Sequence, residues 1–161
     1  MATKQKQERL IIEESARDEV VSQLQGCLVN LIDLSLQAKQ AHWNLLGRMF
    51  HPFHKQLDEI VDAARTGSDD VAERIATLGV AADGRAETIS EQSSLDSFPE
   101  GRISVEKAVT LTADRLQSTI QRLRQAIQAT DDADPVSQDL LIGITSELEK
   151  HLWMVQSQEQ E

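Results

Sequence analysis

The sequence predicts an all-α protein, a bundle of four long helices with a long middle connection. Three observations carry that reading. Apolar residues recur at steps of three and four in four separate segments. No segment shows the alternation of a strand. Residues 80–101, "VAADGRAETISEQSSLDSFPEG", turn polar and carry Gly and Pro, which gives a connection long enough to cross the bundle.

The first helix is expected from about Ser15 to Asn44. Leu24, Leu28, Leu31, Ser35, Ala38 and His42 share one stripe, and Gly47 marks the stop. The second is expected from about Pro52, a residue tolerated in a first turn, to about Leu78. Phe53, Leu57, Ile60, Ala64, Val71 and Ile75 form its apolar side, and Gly67 marks a possible bend. The third runs from about Ser104, an N-cap residue, to Ala129. "TDDADP" breaks the chain, and the fourth helix runs from Pro135 to about Ser157. Residues 1–13 read as an N-terminal tail, 14–158 as the bundle, and 159–161 as a short C-terminal end.

At 161 residues the chain is one domain's worth. The net charge of −11 repels nucleic acid over most of a surface and attracts cations. Two tryptophans, three phenylalanines and no tyrosine do not make a base-stacking platform. No apolar run is long enough to span a membrane, and "MATKQKQERL" leads into no apolar signal core. The single cysteine, Cys27, has no intrachain partner for a disulfide, which favours the cytoplasm.

Three of the four histidines and a row of acids fall between Ala41 and Gly79. On a wheel of 100° per residue with His54 at zero, Asp58 lies at about 40°, Asp69 at about 60° and Glu73 at about 100°. His42 continues the inward stripe of the first helix. Imidazole and carboxylate donors suit iron, manganese or zinc. A row of helical acids also reads as a solvated face, and spacing alone leaves both readings open. Asp58 and Asp69 stand about 16 Å apart along one helix. Metal–ligand bonds of about 2 Å cannot close that gap, so one site would need two chains. The Glu-x-x-His pair of single-chain di-iron bundles is absent.

"KQAHWNLLGRMFHPFHKQLDE" followed by "DDVAERIATLG" resembles the Dps proteins, the dodecameric mini-ferritins, and "LEKHLWMVQS" is similar to that family's closing helix. The resemblance covers about residues 14 to 158. It implies a ferritin-like four-helix bundle with a short helix in the connection, and a homo-dodecamer enclosing a cavity. It implies di-iron sites between subunits, with His42, His54 and Asp58 from one chain and Asp69 and Glu73 from its neighbour. There Fe(II) would be oxidised by hydrogen peroxide rather than dioxygen, a ferroxidase activity, and stored as ferric mineral, protecting against oxidative stress. Zinc could occupy the same ligands.

The resemblance places Trp43 beside the site, with plain interface packing as its other reading. Asp139, then Asp134, match acids that line an iron-entry pore; acids near the start of the last helix also serve as caps. Glu59 and Asp62 are candidate nucleation acids or solvated residues. His51, at the helix start, is a minor alternative ligand, and His151 reads as a surface or interface residue. Relatives of this kind often bind DNA through a basic tail and associate with the nucleoid. Here Lys4, Lys6 and Arg9 are offset by Glu8, Glu13 and Glu14, so DNA binding is expected to be weak or absent.

Overall fold

The computed structural model describes residues 10–159. Four long helices form the body: α1 (Glu14–Asn44), α2 (Phe50–Thr77), α4 (Val105–Thr130) and α5 (Pro135–Gln156), with the short α3 (Ala86–Gln92) in the connection. The N-terminal tail reading and the residues Lys4, Lys6 and Arg9 fall largely outside the described part. α1 packs on α2 and on α4, and α5 packs on α4 and on α2, so the helices stand at four corners around one core. Fully buried Phe53, Leu24, Leu31, Leu57, Leu116 and Leu148 fill its centre.

Local chemistry sets the helix ends. α2 begins at Phe50, and Pro52 falls inside its first turn, where a missing N–H breaks no helical bond. It stops at Gly79, whose φ of 85° is costly for any residue with a Cβ. The amide of Gly79 donates to Ala76 O and that of Val80 to Ile75 O, the paired bonds that close a helix C-terminus. Ser104 caps α4 by accepting from the Lys107 amide at 3.3 Å.

The connection between α2 and α4 climbs the length of the bundle along α1. Gln25 donates to Asp83 O at 2.7 Å and accepts from its amide at 3.0 Å. Asn30 donates to Ser94 Oγ at 2.8 Å and accepts from the Ser94 amide at 3.2 Å. Buried Arg115 donates to Gln37 Oε1 and to Ser97 O. Each bond adds about 0.5–1.5 kcal/mol, and together they turn an irregular segment into a strap.

The structure corrects two expectations. A parallel two-residue pairing joins β1 (Leu45–Leu46) to β2 (Ile103–Ser104), where no strand was expected. Two residues are too short to show alternation. The pairing ties the end of α1 to the start of α4. Gly67 lies buried within an uninterrupted α2 and marks a close approach of helices. A Cβ there would stand 3.0 Å from Ile144 Cγ2.

Asp134 is the third departure. It is 3% exposed and its Oδ2 lies 2.7 Å from Arg74 Nη2, while Ser137 Oγ also donates to it. Burial pushes its carboxyl upward, but the hydrogen bonds from Arg74 and Ser137 and the guanidinium charge together carry it below the usual range. The pair rivets α2 to the start of α5. Arg74→Met leaves a buried carboxylate unpaired and is expected to destabilise the fold by about 3–5 kcal/mol in urea unfolding; a change below about 1 kcal/mol would contradict this role.

Candidate metal centre

His42 stands in the last turn of α1 and His54 in the first turns of α2, and the loop between them folds the two rings together. Their centroids are 3.5 Å apart with planes at 23°. His42 Nδ1 lies 2.9 Å from His54 O, and His54 Nδ1 lies 3.0 Å from His42 O. A carbonyl only accepts, so in this pairing each Nδ1 carries the proton and donates. Each neutral ring then keeps its lone pair on Nε2, the atom free to bind a metal. The bond also satisfies His42 O, one of the carbonyls that a helix C-terminus leaves without an intrahelical donor.

Asp58 lies one turn beyond His54 on α2. Its Oδ1 is 3.2 Å from His42 Nδ1. His42, His54 and Asp58 each offer a ligand atom within 4.8 Å of the others, the one such group among the described residues. His42 is buried, His54 and Asp58 are half-buried, and the carboxylate keeps an open side. Three donors leave room for further ligands from outside. The mixed nitrogen and oxygen set fits iron and also zinc.

Lys39 is the residue that sequence reasoning missed. Its Nζ sits 2.5 Å from Asp58 Oδ1. The signal was present, since Lys39 precedes His42 by three residues on one face of α1. The lysine hydrogen bond is the main cause holding the Asp58 carboxyl below its ordinary range. Partial burial opposes it, and the charges of His42, Lys39 and His54 add to it. An incoming cation therefore competes with an ammonium group for this oxygen.

The other sequence-predicted residues lie elsewhere. Asp69 and Glu73 are exposed on the far half of α2, away from the three clustered ligands. Trp43 is 70% exposed and lines a groove with Leu36, Leu95 and Phe98. Glu59, Asp62 and Asp139 are exposed, as is His51 in the first turn of α2. Asp134 is removed from solvent by its pairing with Arg74, so it does not offer a free carboxylate to a pore. His151 is buried, not on the surface, and burial lowers its pKa.

Lys39→Met is expected to raise the Asp58 pKa toward the ordinary carboxylate range. A pH titration of the Asp58 carboxyl carbon by NMR reads this directly, and an unchanged midpoint would contradict the assigned cause.

The ferritin-like domain family matches residues 21–161. The DNA protection during starvation protein of Agrobacterium fabrum is 31% identical, with 91% of each chain covered. That of Mycolicibacterium smegmatis is 34% identical over 91% of this chain and 80% of its own. The fine tangled pili major subunit of Haemophilus ducreyi is 35% identical over 86% of this chain and 73% of its own. Among solved structures, Mycobacterium smegmatis Dps in a tetragonal form superposes with a TM-score of 0.89 at 33% identity, covering 95% of this chain and 93% of that one. Dps from Microbacterium arborescens in a high-iron form gives 0.88 at 28% identity, covering 92% and 97%. A four-helix bundle carrying a histidine–aspartate ligand group on α1 and α2, together with these matches, shows that the chain belongs to the Dps family of ferritin-like proteins.

Proposed function

We propose that the protein is a ferroxidase and iron-storage protein whose oxidation site forms between two copies of the chain. The convergence of His42, His54 and Asp58 into an open, three-donor half-site carries this reading. Asp69 and Glu73 of a second copy supply the other half. They stand about 16 Å along α2 from their own chain's Asp58, too far to share its ion. Exposed Leu36, Trp43, Leu46, Met49 and Phe50 collect near the half-site, at the end of α1 and the start of α2, and give the second copy an apolar surface to cover. Trp43 packs in that interface.

The substrate is Fe(II), and the hard ferric product is favoured by anionic oxygen donors. Two Fe(II) ions give one electron each to hydrogen peroxide. With two protons the products are two Fe(III) and two waters, and no hydroxyl radical is released. Dioxygen is the alternative oxidant, and zinc a competing occupant of the same donors. The histidines and carboxylates hold the ions. Further copies close into a dodecamer whose cavity holds ferric mineral, with Glu59 and Asp62 as acids that nucleate it. The high-iron form of the Microbacterium relative supports an iron-handling role.

Anaerobic Fe(II) loading followed by peroxide tests the reading. Glu73→Ala is expected to slow oxidation by tenfold or more, read as the rise of ferric absorbance; an unchanged rate would overturn the site. Asp139, exposed near the start of α5, is the remaining candidate for an iron-entry pore. Asp139→Asn should slow iron uptake while the assembly elutes unchanged in size-exclusion chromatography, and equal uptake would remove Asp139 from the pathway.

The relatives' name, DNA protection during starvation, raises a second reading as a DNA-compacting protein. The net charge of −11 speaks against it. Supercoiled DNA at about 0.15 M salt is expected to migrate unretarded in a gel-shift assay with the protein, and robust retardation would contradict this.

A further inference from the structure

α2 meets helices on two sides, and consecutive acids mark them. Asp58 turns toward α1 and its histidine. Glu59 lies about 100° further round the helix, toward α5. Three contacts set the antiparallel register of α2 on the C-terminal segment. Gln158 Nε2 donates to Gln56 Oε1 at 2.6 Å, Gly67 abuts Ile144, and Arg74 Nε donates to Ser137 Oγ at 2.9 Å. Interpolating along two straight helices places His151 level with Glu59 and Ile60. Glu147 lies one turn before His151 on the same face of α5.

His151 is 7% exposed, and its Nδ1 is enclosed without a hydrogen-bond partner among the described residues. Leaving such an atom orphaned costs about 1–3 kcal/mol, and a native fold that tolerates it invites a reason. Burial lowers the pKa of this imidazole. The carboxylates of Glu147 and Glu59 pull it back up, and Lys150 pushes it down. A largely buried neutral ring thus sits within the field of two exposed carboxylates, a donor set of one nitrogen and several oxygens.

We propose that Glu59, Glu147 and His151 form a second subsite for a borderline divalent cation such as Zn²⁺, Co²⁺ or Fe²⁺, on the α2–α5 face. The two glutamates are exposed and turn inward by side-chain rotation when the ion arrives. Their ligand atoms are not gathered beforehand as those of His42, His54 and Asp58 are. The subsite is therefore the weaker of the two. It stands independently of whether a second copy completes the first half-site.

The test is equilibrium titration of the full chain with Co²⁺, read by ligand-field absorption, in an Asp58→Asn background that weakens the first half-site. One class of Co²⁺ site per chain is expected to persist. Adding Glu147→Gln or Glu59→Gln should raise its Kd by tenfold or more, and adding His151→Phe should abolish it. In the same background, sub-stoichiometric Zn²⁺ should shift the imidazole NMR signals of His151. Isotherms that superimpose for Asp58→Asn with and without Glu147→Gln would overturn the proposal, as would unmoved His151 signals. The two glutamates are surface residues, so those variants remain decisive if His151→Phe is too unstable to purify.

Discussion

His42 and His54 each donate Nδ1–H to the other's backbone carbonyl, and this exchange joins the end of α1 to the start of α2. The candidate site depends on it. The bonds fix both tautomers, stack the rings, and direct both Nε2 atoms away from the backbone. They also hold α2 in the rotation that brings Asp58 beside His42. Two helices joined by a short loop could pack in several rotations. A pair of ring-to-backbone bonds selects one, because a slip by a single residue would leave two buried N–H groups without acceptors.

The second constraint is length. A helix rises about 1.5 Å per residue and does not fold back on itself, so acids eleven residues apart on α2 cannot share an ion. The incompleteness of the half-site follows from the straightness of α2. Lys39 fits the same picture. In an isolated chain an ammonium group neutralises Asp58 and keeps a half-built site from carrying bare charge. Assembly and metal binding then become coupled events, since the full ligand set exists only where two chains meet.

Much of the fold was legible in the sequence because helical periodicity is local. The stripes of α1, α2, α4 and α5 could be read from steps of three and four, and the observed ends lie within two residues of those expected. The clustering of His42, His54 and Asp58 was legible too, since both histidines sit near a helix end joined by a short loop. What stayed hidden depends on register between helices. Asp134 read as a cap or pore acid, but its partner Arg74 is sixty residues away in the chain and meets it only once α2 packs on α5. His151 read as a surface residue because nothing local shows that α2 covers it. Gly67 read as a weak point, whereas the structure shows a place where Ile144 comes close. Lys39 was visible in the quoted motif, yet a lysine three residues before a ligand looks like any solvated lysine until Asp58 is placed.

The claim that one site spans two chains is tested most directly by complementation. Chains carrying Asp58→Asn and chains carrying Glu73→Ala should each bind Fe(II) or Zn²⁺ weakly at the oxidation site. When the two are unfolded together and reassembled, a mixed pair contains one site with both defects and one with none. Tight binding should therefore return in the mixture, at about one quarter of the wild-type sites if subunits combine at random. A mixture that binds no more tightly than the two separate variants would show that Asp58 and Glu73 do not meet across an interface.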